Sequence, residues 1–342
     1  MRNAAAVRKT LAAMRRVGVG HVNNKLSLKL LLALVTAFII LVPSGKAHAA
    51  PRYFQMSLWE CCGGPTPTSA QTDIRSEGDG GLGEGVCPPQ PAAPARSIIV
   101  NLEYAYSLST LDHCMNWSLI VAVEVDEPYN NAGVDQYLTS CTPQQPALNN
   151  AIATVDTQLQ ARATELQARN SKARFWVNFN PTEANWMAGC NDTQLFNRSY
   201  FDVVSEDQYY TSFTTGTVLT SFYEQMAANP ATPSQQLAFI PGVFVTTSQS
   251  QYGYLGGYFS NANSFNASCS LPLGSRGVTG IYDGCPVWIV MGWMTGTSGS
   301  DYGIFSAGAA NILTAWEAWI AYTPTNKRTP AQFLPPIIQL ML

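Results

Sequence analysis

The sequence predicts one α/β domain folded as a closed (β/α)8 barrel, the TIM barrel. Short apolar runs rich in β-branched and aromatic residues alternate along the chain with polar or helix-forming stretches. This alternation is typical of parallel strands joined by crossover helices, and seven or eight such units close into a barrel. Length agrees, because the chain has 293 residues from Ala50 onward, which is normal for one such barrel.

Seven of the apolar runs are the expected strands, at 53–60, 97–104, 119–126, 175–180, 202–207, 237–244 and 287–294. Helices are expected at 148–173, 215–228 and 307–322. The eighth strand is expected within 251–260. The segment 63–96 carries clustered glycines followed by prolines, and it is expected to be a long loop.

An open, doubly wound sheet is the competing fold, and its phosphate-binding signature is a GxGxxG turn between a strand and a helix. Residues 78–83 match that spacing. However, no β-branched run precedes them, and Pro88 and Pro89 follow where a helix should begin. We therefore expect no dinucleotide site, and no cofactor.

The N-terminus has the layout of an export signal. Basic residues come first, the apolar run 30–42 follows, and Ala47-His48-Ala49 forms a small-x-small cleavage site. An uncleaved membrane anchor is the alternative, but the run is shorter than the roughly 20 residues that span a bilayer. We expect a signal peptide at 1–49, the first strand with the Gly/Pro-rich loop at 50–96, and the remainder of the barrel domain at 97–342.

The charge of the exported part limits its partners. Residues 1–49 carry eight of the 19 Lys and Arg residues and none of the 22 Asp and Glu residues, so the mature chain has a net charge of −11. Such a surface repels nucleic acid and anionic lipid. We expect a carbohydrate or another neutral polar ligand, no nucleic acid, and no membrane insertion after signal cleavage. The expected location is secreted, periplasmic or in the cell envelope.

All eight cysteines follow the expected cleavage site, in a chain directed to an oxidising compartment. Up to four disulfides are therefore expected, with a connectivity that the sequence does not fix. Their spacing contains no CxxC pair. We expect no metal site.

Carboxyl groups dominate the acid–base inventory, because His113 is the only histidine after the cleavage site. No GxSxG, HExxH or GxxxxGK[ST] motif occurs. A Ser–His–Asp hydrolase would have to use His113, which lies in a helix-like stretch and not in a loop after a strand. That hydrolase remains one alternative interpretation.

Side chains alternate between the two faces of a strand, so each expected strand can be divided into an outward and an inward row. In the run 119–126 the outward row is Leu119, Val121, Val123 and Val125. The inward rows of several strands become polar toward their C-terminal ends, where barrel enzymes hold their catalytic groups. The candidate catalytic carboxyl groups are Glu103, Glu124, Asp126, Glu127 and Asp207. The candidate substrate-binding side chains are Asn101, Asn178, Asn180, Tyr129, Tyr209 and Trp293.

In layout the chain resembles secreted (β/α)8 glycoside hydrolases, at the level of the fold and without a specific family. The resemblance is carried by the DEPY sequence at 126–129, by DVVSEDQYY at 202–210 and by the run 287–294 with Trp293. It implies two carboxyl groups that flank a glycosidic bond. Glu127 would be the acid, supported by Glu124 or Asp126, and Asp207 or Glu103 would be the partner. A non-catalytic glycan-binding protein on the same fold is the alternative.

Overall fold

The computed structural model describes residues 52–60, 73–82, 97–141, 146–192, 194–207, 218–245, 255–267, 285–293, 302–303 and 316–317. All of them belong to one compact unit, Ala49–Leu342. The expected signal peptide lies outside the described residues, so its prediction stays untested. Within the described residues, no helix is long and apolar enough to cross a membrane.

The strands are β1 (Gln55–Glu60), β2 (Ile74–Leu82), β3 (Ile98–Leu102), β4 (Ile120–Asp126), β5 (Arg174–Phe179), β6 (Val203–Glu206), β7 (Gln236–Phe239), β8 (Phe244–Val245), β9 (Val287–Gly292) and β10 (Tyr302–Gly303). Eight of them form a closed barrel in the order β1-β2-β3-β4-β5-β6-β7-β9, and β8 pairs with β10 in a separate antiparallel ladder. Every pairing within the barrel is parallel, including that of β9 with β1. The TIM-barrel prediction is confirmed, and the open sheet is excluded.

Helices connect the strands. The α-helices are Pro128–Asn131, Pro146–Arg169, Pro181–Cys190, Val218–Ala228 and Leu255–Phe265, and the 3-10 helices are Leu108–Leu111, Trp117–Leu119 and Asp135–Tyr137. The long helix Pro146–Arg169 buries a row of apolar residues spaced three or four apart, which faces the barrel. Of the expected late helix, the described residues Trp316 and Glu317 are helical.

The eighth strand is not where we expected it. The residues expected to contain it overlap the helix Leu255–Phe265, and the barrel is completed by β2, inside the predicted loop. Its first residues pair with both β1 and β3, and the register shifts between Glu77 and Leu82. The prediction failed because glycines occupy the second half of this strand, where they mark an irregular ladder.

The barrel sheet has an apolar layer on each side. The outer layer packs the strands against the helices. The inner layer fills the barrel and includes Ile74, Ile99, Ala122, Trp176, Val203, Ala238, Trp288, Ile289 and Met291. Its members Ile99 on β3 and Trp176 on β5 alternate with outward-facing neighbours, as expected for a strand.

The start of β4 departs from the predicted alternation. Ile98 pairs with Ile120, whereas Ile99 pairs with Ala122, so Val121 is an extra residue in the ladder. As a result Ile120 packs in the outer layer and Val121 packs against the inner one, the reverse of our prediction. From Ala122 onward the predicted alternation holds.

A disulfide joins Cys141, in the connection after β4, to Cys190 at the end of the helix that follows β5. Cys114 and Cys285 are also disulfide-bonded. The prediction of a disulfide-bonded domain is confirmed for these residues. Cys61, Cys62, Cys87 and Cys269 lie outside the described part of the chain.

Candidate active site at the carboxyl end of the barrel

Four of the predicted carboxyl groups meet at one end of the barrel. Glu124 and Asp126 lie on β4, Glu127 follows it directly, and Asp207 follows β6. The pKa of Glu124 is raised first by burial and then by the negative charges of the other three. The register agrees, because Asn178 on β5 pairs with Asp126 on β4 and with Ser205 on β6, so Asp207, two residues after Ser205, lies at the same end of the barrel as Asp126. We call these four side chains the mouth cluster.

Glu124 is the deepest member of the mouth cluster and has no exposed surface. One of its oxygens, Oε2, accepts a hydrogen bond from the amide Nδ2 of Asn101, its neighbour in register on β3. The other, Oε1, has no hydrogen-bond partner among the described residues. Burial therefore holds the pKa of Glu124 well above its usual range, because its charged form is poorly solvated.

Asp126 is held by a chain of hydrogen bonds that crosses three strands. The indole Nε1 of Trp176 donates to Ser205 Oγ over 2.7 Å. Ser205 Oγ donates to Asn178 Oδ1 over 2.7 Å, and Asn178 Nδ2 donates to Asp126 Oδ1 over 2.8 Å. The direction of the chain is fixed, because an indole N–H can only donate. Each group is thus oriented by the one before it, and the last donor points at Asp126.

The environment of Asp126 gives its carboxyl group acid–base properties suited to neutral or mildly acidic solution. Burial raises the pKa of Asp126 to about 6. The hydrogen bond from Asn178 acts in the opposite direction and lowers this pKa, whereas the negative charge of Glu127 raises it further. The side chain is half-buried, so it retains contact with the outside. A carboxyl group with such a pKa can both give and take a proton near pH 6.

Glu127 has a backbone conformation that is unusual for its residue type. Its φ of 42° and ψ of 47° lie in the left-handed region, which costs a residue with a side chain roughly 1–3 kcal/mol. The surroundings hold it there: its N–H donates to the carbonyl oxygen of Asn178 over 2.9 Å, and its Oε2 accepts from Asn130 Nδ2 over 2.7 Å. Strain of this kind is often retained where it places a functional side chain.

Comparison of the sequence with protein-family models and with curated proteins gives no match.

The three predicted amide ligands have other partners in this structure. Asn101 and Asn178 are buried, and they position Glu124 and Asp126 respectively. Asn180 lies beyond the end of β5, where its Oδ1 accepts from the N–H of Thr182 over 2.7 Å and caps the helix Pro181–Cys190. These hydrogen bonds hold the site in place, whereas Asn101 Oδ1 has no hydrogen-bond partner among the described residues.

The predicted aromatic residues divide between core and mouth. Tyr129 has no exposed surface, its ring stacks on Phe179, and its hydroxyl donates to Asp156 over 2.7 Å. It is therefore a core residue, because the short helix after β4 turns its ring away from the opening. Trp293 lies just after β9, half-buried against the inner layer, where it can border the opening. Tyr209 lies outside the described residues.

Two other predicted residues were also located. Glu103 directly follows β3, half-buried at the same end of the barrel as the mouth cluster, since its neighbour Leu102 pairs with Val125 of β4. Glu103 is not among the charges that raise the pKa of Glu124 or Asp126. His113 is exposed, and its neighbour Asp112 forms an ion pair with Arg169, which ends the helix leading into β5. His113 therefore lies toward the amino end of the strands, away from the carboxyl groups, and a hydrolase built on it loses support.

One buried cation lies inside the barrel at its other end. Arg174 begins β5, has no exposed surface, and stacks over the ring of Trp288 at 4.2 Å. Its positive charge acts on Asp202, which precedes β6. Burial raises the pKa of Asp202, and the charge of Arg174 lowers it. No cation contributes to the shifts described for Glu124 and Asp126. The positive charge of Arg174 therefore does not offset the repulsion that Glu124 and Asp126 experience from the neighbouring carboxyl groups.

Sequence reasoning missed two acids beside the mouth cluster, Asp135 and Glu183. Burial raises the pKa of both carboxyl groups, and the negative charge of Glu127 raises it further. The Asn180-Pro181-Thr182-Glu183 segment is a capping-box pattern, which marks a helix start but not a buried carboxyl group. Within the described residues, no group of three or more His, Cys, Asp or Glu side chains is arranged to hold a metal ion.

Proposed function

We propose that this protein is an exported glycoside hydrolase that uses the carboxyl groups of the mouth cluster, with Asp126 as the general acid. One observation carries the proposal: Asp126 combines a pKa raised to about 6 with an orientation set by three successive hydrogen bonds. A general acid for glycoside hydrolysis needs both properties.

The chemistry would follow the two-carboxyl scheme. Asp126 donates its proton to the glycosidic oxygen as the bond to the anomeric carbon breaks, so the departing sugar leaves as an alcohol. Asp207 acts from β6 as the partner carboxylate and takes a proton from the attacking water. The sequence favours Glu127 as the acid, but the raised pKa of Asp126 makes Asp126 the better candidate. The charge of Glu127 would then help to retain the proton on Asp126.

The product stereochemistry follows from the separation of the two carboxyl groups. A separation of about 5–5.5 Å accompanies retention, and about 6.5–9.5 Å accompanies inversion, because inversion needs room for a water molecule. One strand, β5, lies between β4 and β6, so their backbones are about 10 Å apart. The side chains of Asp126 and Asp207 both point into the barrel and approach each other more closely than their backbones, so the anomer released first reports the separation of the two carboxyl groups.

The charge of the mature chain supports the substrate class. A net charge of −11 disfavours anionic ligands, whereas neutral sugars experience no such repulsion. Trp293, beside the opening, offers an aromatic face for a sugar ring.

The test is sugar release by the oxidised domain, residues 50–342, from a panel of polysaccharides and aryl glycosides. Asp126→Asn, Asp207→Asn and Glu127→Gln are assayed in parallel, with Glu224→Gln on an exposed helix position as the control. We expect turnover in the wild type and control and its loss in Asp126→Asn. Glycan binding without turnover in all the proteins would refute catalysis and favour the binding protein.

A further inference from the structure

Asn101 and Glu124 form a pair at the floor of the barrel mouth. They are register neighbours on β3 and β4, and both side chains point into the barrel, since they alternate with residues of the outer layer. Neither residue has any exposed surface. Their side chains touch, because the amide Nδ2 of Asn101 donates a hydrogen bond to Oε2 of Glu124. The fold therefore holds an amide and a carboxyl group against each other where bulk water does not reach.

This contact leaves two oxygen atoms of the pair without a donor. Glu124 Oε1 and Asn101 Oδ1 are buried, and neither has a hydrogen-bond partner among the described residues. An amide oxygen and a carboxylate oxygen can only accept, so an ionised Glu124 would leave both atoms unsatisfied. Bulk water cannot supply the missing donor, because neither side chain is exposed. Such burial is costly for a neutral acceptor and more costly for a charged one.

A single proton on Glu124 can satisfy both atoms. A protonated carboxyl group carries an O–H donor beside its carbonyl oxygen, and a primary amide carries an N–H donor beside its own. The two groups can therefore join through two hydrogen bonds, from Asn101 Nδ2 to Glu124 Oε2 and from Glu124 Oε1 to Asn101 Oδ1. The first bond is present in the structure, and the second uses the two atoms that the first leaves without partners.

The surroundings of Glu124 also favour its neutral form. Burial is the largest effect and raises the pKa of Glu124, and the negative charges of Asp126, Asp207 and Glu127 raise it further. Among the described effects, only the hydrogen bond from Asn101 Nδ2 lowers this pKa. The described charges that act on Glu124 are thus all negative, and none of them would stabilise a carboxylate there.

The charge state of Glu124 matters for Asp126. The two residues lie on the same face of β4, two positions apart, so their backbones are separated by about 7 Å. A negative charge on Glu124 would repel a second one on Asp126 and raise the pKa of Asp126. A neutral Glu124 adds no such charge, and the shift of the Asp126 pKa is accounted for by burial, Asn178 and Glu127.

We propose that Glu124 is held as a neutral carboxylic acid by its pairing with Asn101, with Oε1 donating to Asn101 Oδ1, and that this pair prevents a negative charge from forming beneath Asp126. Its importance for catalysis rests on the proposed function, in which Asp126 is the general acid. Glu124 and Asn101 are then positioning residues, which act through Asp126 and do not touch the substrate.

The first measurement is the infrared difference spectrum between wild type and Glu124→Gln at neutral pH. Glutamine mimics the neutral acid, because its amide can form the same two hydrogen bonds with Asn101, so the fold should be retained. A protonated carboxyl group absorbs apart from ionised carboxylates, and we expect its band in this difference. The control Glu224→Gln, at an exposed position, should give no such band. A Glu124 difference that contains only carboxylate bands would refute the neutral acid.

A second variant tests whether Asn101 accepts the proton. Asn101→Leu has a side chain of similar size with neither donor nor acceptor, so it removes both hydrogen bonds of the pair. Its Glu124 band is isolated by subtracting the spectrum of the Asn101→Leu/Glu124→Gln double variant. We expect this band at a higher frequency than in the wild type, because hydrogen bonding weakens the carbonyl stretch. A band at the wild-type frequency would refute the pairing with Asn101.

The third measurement is a 13C NMR titration of the aspartate carboxyl carbons, in which the Asp126 signal is identified by its absence in Asp126→Asn. Its midpoint should stay near the wild-type value of about 6 in Glu124→Gln, because a neutral acid is replaced by a neutral amide. It should rise by about one pH unit or more in Asn101→Asp, where two carboxyl groups share one proton and the pair becomes charged.

Either of two titration results would overturn the proposal. A midpoint that falls in Glu124→Gln would show that Glu124 is ionised in the wild type. An unchanged midpoint in Asn101→Asp would show that the charge of the pair does not act on Asp126. None of the three readouts needs a substrate, so absence of sugar release would refute the glycosidase proposal alone, whereas an ionised Glu124 would refute the pair alone.

Discussion

Glu206 is a buried acid whose ionisation should weaken the protein as pH rises. It lies on the outer face of β6 with 1% exposure, and neither carboxyl oxygen has a hydrogen-bond partner among the described residues. The hydroxyl of Tyr223 accepts a hydrogen bond from the backbone N–H of Glu206 and donates its own proton to the carbonyl oxygen of Ala238 over 2.9 Å. Burial accordingly raises the pKa of Glu206 to about 8.

The expected effect of Glu206→Gln follows from that shift. The native protein keeps the Glu206 proton up to about pH 8, whereas the unfolded chain releases it near the usual 4.5. The native state thus binds more protons between these values, and its stability falls as pH rises through this window. At 1.36 kcal/mol per pKa unit, the cost of keeping Glu206 protonated at pH 7 is about 3 kcal/mol. Glutamine has nearly the same shape and cannot ionise, so it should remove this cost.

The assay is urea denaturation of wild type and Glu206→Gln under non-reducing conditions at several pH values between 4 and 8. We expect nearly equal unfolding free energies at pH 4 and an advantage of about 3 kcal/mol for the variant at pH 7. Glu224→Gln, at an exposed position, should show no such trend. A difference between wild type and Glu206→Gln that does not change with pH would refute the reasoning.

Three further predictions concern the fold and its strain. A Cβ on Gly292 would lie 2.8–2.9 Å from three packed side chains, so Gly292→Ala should lower the free energy of unfolding, measured by urea denaturation, by about 1–3 kcal/mol. Gly189→Ala is the control, because a Cβ there meets no atom within 4 Å. Equal effects of the two substitutions would contradict the packing argument. Replacing both Cys141 and Cys190 by Ser should cost about 4 kcal/mol, because the bridge closes a loop of 49 residues, and an unchanged Tm would refute this. Glu127→Gly should be about 1 kcal/mol more stable than Glu127→Ala, since only glycine relieves the positive φ; equal stabilities would show that the backbone is not strained.

The fold could be predicted from the sequence because most barrel strands carry strong local signals. β-branched runs mark β3, β4 and β9, and apolar runs at the expected positions mark β1, β5, β6 and β7. β2 has no such signal. It takes its place because the barrel needs an eighth strand between β1 and β3, and that requirement is a property of the closed sheet and not of the local sequence.

The candidate site could be predicted only in part, for similar reasons. Alternation along β4 was enough to place Glu124 and Asp126 at the mouth, because a strand end is a local feature. The donor chain that ends at Asp126 crosses three strands, so its members become neighbours only when the register is known. Tyr129 could not be assigned to the core without the turn at Glu127.

The most direct test of Asp126 as the general acid compares two substrates for the same variant. The very acidic phenol of an activated aryl glycoside leaves without being protonated. The alcohol that leaves from an alkyl glycoside or an oligosaccharide must be protonated by the general acid. Asp126→Asn should lower kcat/KM about 10²–10⁴-fold for the second class and far less for the first. Equal losses on both classes, or no loss on either, would contradict the assignment of Asp126.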